Sequence, residues 1–225
     1  MIGLKVLKRR RAVPAELASQ FIGVPVANVS DCMSRLFAGG ARLRPMHSGC
    51  PMSGPALTVR TRPGDNLMIH KALQMAAPGD IIVVDAGGDL TNALIGELMV
   101  GTAIQRKLGG FVIDGAIRDA RALREGDFPV FAAGVTHRGP YKDGPGEINV
   151  PIAIDGMVIE PGDLIIGDDD GVLCVPFDHV QSMLAAARKK ADAEASMATA
   201  IAAGKVDTAW IDATLNRLGC LIEED

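Results

Sequence analysis

Pro78-Gly79-Asp80-Ile81-Ile82-Val83-Val84-Asp85 is a turn followed by an unbroken apolar run rich in β-branched residues. A strand with one wet face alternates apolar and polar residues, whereas a run apolar at every position is buried on both faces. The stretch therefore predicts an interior strand over Ile81–Val84. The pattern returns as Pro161-Gly162-Asp163-Leu164-Ile165-Ile166-Gly167-Asp168. Two strands thus start at a Pro-Gly-Asp turn and end at an acidic loop. The echo is too short to make a repeat architecture.

Working outward, Ser53–Thr61 reads as a strand. Leu67, Ile69, Ala72, Leu73 and Ala76 then form a helical stripe over Asn66–Ala76. Upstream, helices are expected over Pro14–Phe21 and Val26–Phe37, the second ending at Gly39-Gly40. Downstream come a helix over about Leu94–Leu108, a strand over Phe111–Asp114, a helical turn over Ile117–Leu123 and a strand over Pro129–Ala133. Thr136–Asn149, with three glycines and two prolines, reads as a long loop, and long loops in compact domains often carry function. Strands follow at Val150–Ile154, Met157–Ile159, Leu164–Ile166 and Val172–Val175. The end is helical, over Asp178–Ala203 with a cap at Gly204, then over Asp207–Leu218. This order implies an α/β fold with a mixed sheet over residues 1–177 and a helical extension over 178–225. The extension is Ala-rich, which allows close approach to another helix and favours an oligomer contact.

The chain has 225 residues, 48% of them hydrophobic but only 4% aromatic, with six Phe, one Tyr and one Trp. Val, Ile, Leu, Met and Ala must build the core, and the length allows a sizeable one. Single-stranded nucleic acid is bound by stacking bases on aromatic side chains, which are scarce here. The net charge of −4 also disfavours a phosphate-backbone binder, so no nucleic-acid partner is expected. No apolar run approaches the ~18 residues of a membrane span, so no membrane partner is expected either. Lys5, Lys8, Arg9, Arg10 and Arg11 read as a basic surface strand or arm, since Pro14, Glu16 and Gln20 interrupt any signal-peptide core. Cys32, Cys50, Cys174 and Cys220 show no CxxC spacing. They read as buried or half-buried thiols of a reduced, cytoplasmic compartment.

The chemistry concentrates in Asp85–Asp119. Asp85-Ala86-Gly87-Gly88-Asp89 follows the central strand, and glycines there let backbone approach a ligand, though a plain turn has the same composition. Gly96-Glu97-Leu98-Met99 opens a helix, where free N–H groups can hold a carboxylate. Glu97 also reads as an ordinary surface residue. Arg118-Asp119 leaves a buried strand as a guanidinium beside a carboxylate. This is either a solvated ion pair or an arginine for a substrate oxygen next to a ligand for Mg²⁺, which favours one carboxylate plus waters.

On these residues the chain resembles the RraA-like family. Within it, the resemblance is to the class II 4-hydroxy-4-methyl-2-oxoglutarate / 4-carboxy-4-hydroxy-2-oxoadipate aldolases. The resemblance runs through Val29-Ser30-Asp31, Asp65-Asn66, Pro78–Asp85, Gly96-Glu97, Asp114-Gly115, Arg118-Asp119, Val150-Pro151-Ile152, Pro161-Gly162-Asp163 and Asp168–Val172. It implies a three-layer β/β/α swivelling-domain fold assembled as trimers or hexamers. Asp119 matches the sole direct protein ligand of Mg²⁺ or Mn²⁺, and Arg118 the residue on the substrate's keto or hydroxyl oxygen. Glu97 matches an acid, often Asp in the family, that organises a water for proton transfer. Gly96 with the amides of Leu98 and Met99 matches the pyruvyl-carboxylate site. Glu194 matches a Glu that reaches a metal-bound water in a neighbouring subunit.

The implied reaction cleaves a 4-hydroxy-2-oxo acid to pyruvate through a metal-stabilised enolate, with oxaloacetate decarboxylation as a side activity. No Schiff-base lysine is needed, and the window offers only Lys107. The alternative is a non-catalytic regulator of RNase E, whose relatives usually lack the Asp after the Arg. A third reading, a methyltransferase, rests on Val83–Gly88, where the glycine spacing is incomplete and few aromatic side chains are at hand to pack on adenine. Outside the window, His70 reads as a structural histidine, and His47, His137 and His179 show no ligand spacing. Asp168-Asp169-Asp170-Gly171 reads as a turn between strands. Arg42, Arg44 and Arg138 are weak candidates for a distal carboxylate.

Overall fold

The computed structural model describes residues 2–35, 37 and 39–223. The chain divides into two compact units, residues 1–187 and 188–225. In chain order the elements are β1 (Leu4–Val6), α1 (Ala15–Ser19), α2 (Val26–Cys32), β2 (Arg44–Pro45), β3 (Met52–Thr61), α3 (Leu67–Met75), β4 (Ile81–Asp85) and β5 (Ala93–Ile95). Next come α4 (Glu97–Gln105), β6 (Gly110–Ile117), α5 (Ala120–Arg124), β7 (Val130–Val135), β8 (Gly146–Ile148), β9 (Ile152–Ile154) and β10 (Met157–Ile159). The chain ends with β11 (Leu164–Asp168), β12 (Gly171–Val175), α6 (Val180–Ala202) and α7 (Ala209–Arg217).

β4 is interior, as its unbroken apolar run predicts. It lies parallel between β3 and β6, and β7 extends the parallel set beyond β6. The two-residue period of a strand divides its side chains. Ile82 and Val84 join Ile69, Leu73, Val100 and Ala103 in a core with α3 and α4. Ile81 and Val83 point the other way, into a core with Ile152, Ile154, Met157 and Ile159 of the β9–β10 hairpin. The sheet is therefore covered by helices on one face and by strands on the other, a mixed α/β fold. A third cluster joins α1, α2, the start of α6 and the far side of β11–β12. Each fully buried Ile, Val or Leu contributes on the order of 1.5–3 kcal/mol, so aromatic poverty leaves the core intact.

Several boundaries differ from expectation. The second helix stops at Cys32 rather than Phe37, because Ser34 and Arg35 take left-handed backbone; Leu36 lies outside the described residues. The helix expected from Leu94 begins at Glu97, and Ala93–Ile95 is a strand instead. Short apolar runs do not distinguish the two, and pairing with β6 decides this one. Gly146–Ile148, inside the expected long loop, is a strand between β1 and β3. The basic start pairs as β1, and the cap at Gly204 has the expected positive φ. Cys220 is exposed, contrary to the buried or half-buried thiol expected there, while Cys174 is buried and Cys32 and Cys50 are half-buried. Among the described residues no helix is long and apolar enough to cross a membrane.

Candidate active site

The site arises where β6 changes neighbours. Its first half, Gly110–Asp114, pairs with β4, and beyond Gly115 it pairs with β5 through Ala116 and Ile117. Gly115 permits the switch, since a Cβ there would sit 2.9 Å from Leu94 Cδ1. β5 and β6 are parallel, so their carboxyl ends emerge together, where open α/β sheets bind ligands. The Arg118 N–H donates to the Ile95 carbonyl at 3.0 Å, which locks the two exits. β5 then passes through Gly96 into α4, and β6 through Arg118-Asp119 into α5.

Asp119 holds left-handed backbone at φ 57° and ψ 35°, uncommon for a non-glycine residue. That turn swings its carboxylate across to α4. Oδ2 accepts from the Glu97 N–H at 3.1 Å and lies 3.6 Å from Arg118 Nε. The carboxylate thus caps the positive end of α4. A Cβ on Gly96 would meet Asp119 Oδ2 and press on the Arg118 side chain, so a larger residue there would have to displace the carboxylate. Glycine, arginine and aspartate, 22 and 23 positions apart in the chain, form one cluster with Arg118 and Asp119 open to solvent.

The cluster borders a cavity of about 360 Å³. Its lining is Asn66 and His70 of the α3 segment, Ala93–Met99 without Glu97, Arg118, and Gly139, Pro140 and Lys142 of the following loop. Glu97 and Asp119 stand outside this lining, on the exposed side of the same turn. Asn66 is buried. Its Nδ2 donates to the Leu94 carbonyl at 2.9 Å, which fixes the amide's orientation, and its Oδ1 has no hydrogen-bond partner among the described residues. Burial and the nearby Lys142 ammonium hold His70 below its ordinary pKa, so it is a neutral imidazole at neutral pH.

Buried Asp65 organises the 138–144 loop. Its Oδ2 accepts from the N–H groups of Asp143 at 2.7 Å and Gly144 at 2.8 Å, and from Arg62 at 3.0 Å. The Tyr141 N–H donates to Gly64 O at 2.8 Å, Asn66 N–H to Tyr141 O at 3.0 Å, and Ala93 N–H to Arg138 O at 2.8 Å. Asn92 Nδ2 donates to Gly139 O. The loop is therefore fixed on both sides of Lys142.

Gly96, Glu97, Leu98, Met99, Arg118 and Asp119 all come together. The two amides expected to bind a carboxylate differ, however. Met99 N–H already donates to Gly96 O at 3.1 Å, while Leu98 N–H has no partner among the described residues. Glu194 lies in the second unit, where it pairs with Lys190 at 3.0 Å. Arg42 is bound by Asp114 at 2.7 Å and Asp155 at 2.9 Å, and Arg44 donates to the Asp170 carbonyl at 3.4 Å. Sequence reasoning passed over Asn66, His70 and Lys142 as site residues. The signals were a helical i, i+4 pair after Asp65 and the long loop itself.

The Mg²⁺ or Mn²⁺ expected from the resemblance can be tested against this donor set. Asp119 Oδ2 is occupied by its two protein contacts, while Oδ1 has none among the described residues. No group of three or more His, Cys, Asp or Glu able to hold a metal occurs among the described residues. One free carboxylate oxygen at an open turn suits Mg²⁺, which keeps several waters and takes one or two carboxylates.

The fold and the site thus define an α/β protein with a small polar cavity where two parallel strands end. The chain belongs to the RraA-like (Aldolase/RraA) family, which matches residues 26–174. It is 43% identical over 181 residues to the "Putative 4-hydroxy-4-methyl-2-oxoglutarate aldolase" of Halalkalibacterium halodurans, covering 80% of this chain and 86% of that protein. It is 35% identical over 112 residues to the 4-hydroxy-4-methyl-2-oxoglutarate aldolase of Thermus thermophilus, covering 50% of this chain and 68% of the relative. The solved structure of the RNA-processing inhibitor RraA, also from Thermus, superposes with a TM-score of 0.61 at 30% identity. That match covers 68% of this chain and 92% of the other.

Proposed function

We propose that the chain is a divalent-metal-dependent aldolase that cleaves 4-hydroxy-2-oxo acids of the 4-hydroxy-4-methyl-2-oxoglutarate type to pyruvate. The observation that carries this reading is the junction of Gly96, Arg118 and Asp119 at the start of α4. The two aldolase relatives support it. Asp119 Oδ1 would hold the metal, and Glu194 would reach one of its waters from a neighbouring subunit of a trimer or hexamer. When bound, the metal supplies Lewis-acid stabilisation of negative charge on the substrate's oxygens.

The chain's own groups do the rest. The free Leu98 N–H at the positive end of α4 receives the C1 carboxylate. A water held by Glu97 accepts the C4 hydroxyl proton. The C4–O electron pair then forms the new carbonyl, the C3–C4 bond breaks, and its electrons move onto C3 and the C2 oxygen. Arg118 places fixed positive charge beside that oxygen, in a position to stabilise the enolate as it develops. Protonation at C3 releases pyruvate. Oxaloacetate, losing CO₂ to the same enolate, is a side substrate.

The test is pyruvate release, read with lactate dehydrogenase, from 4-hydroxy-4-methyl-2-oxoglutarate and oxaloacetate with Mg²⁺ or Mn²⁺. EDTA and Arg118→Ala should each abolish most of it. No pyruvate from either substrate with either metal overturns the reading. The likeness to RraA favours a second reading, a regulator of RNase E. Capture of RNase E unaffected by Asp119→Ala, with no pyruvate formed, would favour it.

A further inference from the structure

Arg42 stands apart from the cavity, yet it joins the segments that build it. It is not among the residues lining that space. One guanidinium nitrogen, Nη2, lies 2.7 Å from Asp114 Oδ1 and 2.9 Å from Asp155 Oδ1. The other, Nη1, sits against the backbone of Gly88, where a Cβ would collide with it. Three segments thus meet on one side chain: β6 through Asp114, the β9–β10 turn through Asp155, and the turn that leaves β4 through Gly88. The planar fork of an arginine can do this, whereas the compact ammonium of a lysine has no second nitrogen to lie over Gly88.

The place of this contact in the fold gives it a consequence. Asp114 is the last residue of β6 that pairs with β4, and beyond Gly115 the strand pairs with β5. The Asp114 carbonyl accepts from the Gly88 N–H at 3.1 Å. The turn is therefore tied by backbone to the same residue whose side chain holds Arg42. A Cβ on Gly115 would lie 3.3 Å from the Asp89 carbonyl oxygen and 3.6 Å from Ala86 Cβ, so the turn also packs on the point of the switch. β5 begins at Ala93, shortly after this turn, and its register against Ala116 and Ile117 sets Gly96 beside Arg118 and Asp119. The charges at this exit call for a cation. Asp85 and Asp114 are register neighbours at the ends of adjacent strands, and Asp155 approaches from the hairpin. The Asp114 side chain is only 3% exposed. Burial raises its pKa, the Arg42 guanidinium lowers it, and Asp85 and Asp155 raise it again.

The geometry points to Arg42 as a positioning residue. By bridging Asp114 and Asp155 across Gly88, it holds the turn that sets the β5–β6 junction, and with it the Gly96, Arg118 and Asp119 cluster. Its effect on turnover rests on the aldolase reading, while its effect on the junction does not.

Arg42→Ala alone strands a buried carboxylate, which destabilises the protein whatever else it does. Two further variants separate position from charge. Arg42→Ala/Asp114→Asn removes both charges, and Arg42→Lys keeps the charge without the fork. Both should melt close to wild type. For pyruvate release from 4-hydroxy-4-methyl-2-oxoglutarate with Mg²⁺, both should lose kcat roughly ten- to hundred-fold with KM within about three-fold, as misplacement of the reacting groups does. Wild-type kcat in both variants overturns the inference, since a charge pair that serves stability alone can be replaced without loss of turnover. The second measurement needs neither substrate nor restored stability. In amide hydrogen exchange, peptides covering residues 86–96 and 116–119 of the double variant should exchange at least about ten-fold faster than in wild type, while β11 and β12 keep their protection. Unchanged exchange at the junction, or exchange raised equally throughout the chain, overturns the inference. If the junction loosens but wild type forms no pyruvate, the aldolase reading falls and the brace stands. If wild type forms pyruvate and both variants do so equally fast, the aldolase reading stands and the brace falls.

Discussion

β4 and β11 begin alike and end differently. Each follows a Pro-Gly-Asp turn whose aspartate is buried and folds back on the turn. Asp80 Oδ2 accepts from the Ala77 N–H at 2.8 Å, and Asp163 Oδ2 from the Glu160 N–H at 2.9 Å, three residues back in both cases. Each carboxylate's second oxygen is also used: Asp80 Oδ1 by Arg9 at 2.7 Å, Asp163 Oδ1 by the Phe177 N–H at 2.9 Å. The acidic exits then part. β11 closes directly on antiparallel β12 through Asp169-Asp170. β4 is parallel to both neighbours, so its chain must leave the sheet, and it does so through Gly87-Gly88 toward β5 and the cavity. The strands' starts are built for stability. Only an exit among parallel strands opens a space for ligand, because a hairpin closes its own.

The contrast is sharpened most by Arg118→Ala, on the parallel side. The substitution should lower kcat for pyruvate release about 10²–10³-fold, as loss of an oxyanion-type donor does, with the melting temperature nearly unchanged. A loss of a few-fold would remove Arg118 from the chemistry. Gly96→Ala comes next. The added Cβ meets the Asp119 carboxylate, a strain of about 1–3 kcal/mol, so half-maximal activity should need roughly ten- to hundred-fold more Mg²⁺. Unchanged metal titration would mean that Asp119 has room to move.

At the start of β11, Asp163→Asn should act on stability alone. Two backbone N–H groups would then share one acceptor oxygen, costing about 1–3 kcal/mol in urea unfolding, with kcat unaffected. Burial holds the Asp163 carboxyl above its ordinary pKa, so the folded state keeps that proton more tightly than the unfolded chain does. Its contribution is therefore full at acid pH and declines as pH rises through the elevated value. The gap between wild type and variant should narrow as pH rises from about 4 to 7; the opposite trend would contradict the burial argument. Smallest of all, Asp169→Ala and Asp170→Ala at the exit of β11 should stay within about 0.5 kcal/mol and leave metal dependence untouched. A lost metal response there would break the comparison.

Much of this was legible in the chain. The β-branched run of Ile81–Val84, the two Pro-Gly-Asp starts and the helix after Asn66 appear where residue periodicity places them. Ala93–Ile95 was not legible, because three apolar residues ahead of a helix carry no period of their own, and a partner strand is what makes them extended. Lys142 was hidden for a related reason. Nothing within its loop distinguishes it from a solvated lysine, and its position depends on Asp65, 77 residues earlier.

The sequence by itself determined the strand and helix types, the aromatic-poor core and the residue types able to handle a small anionic oxo acid, since these follow from local periodicity and side-chain chemistry. Only the tertiary structure decided which of those residues meet. The change of β6's partner from β4 to β5 brings Gly96 against Asp119. The clamp on Asp65 carries Lys142 to the same cavity as Arg118. Both are long-range pairings, and their geometry comes from packing rather than from spacing along the chain.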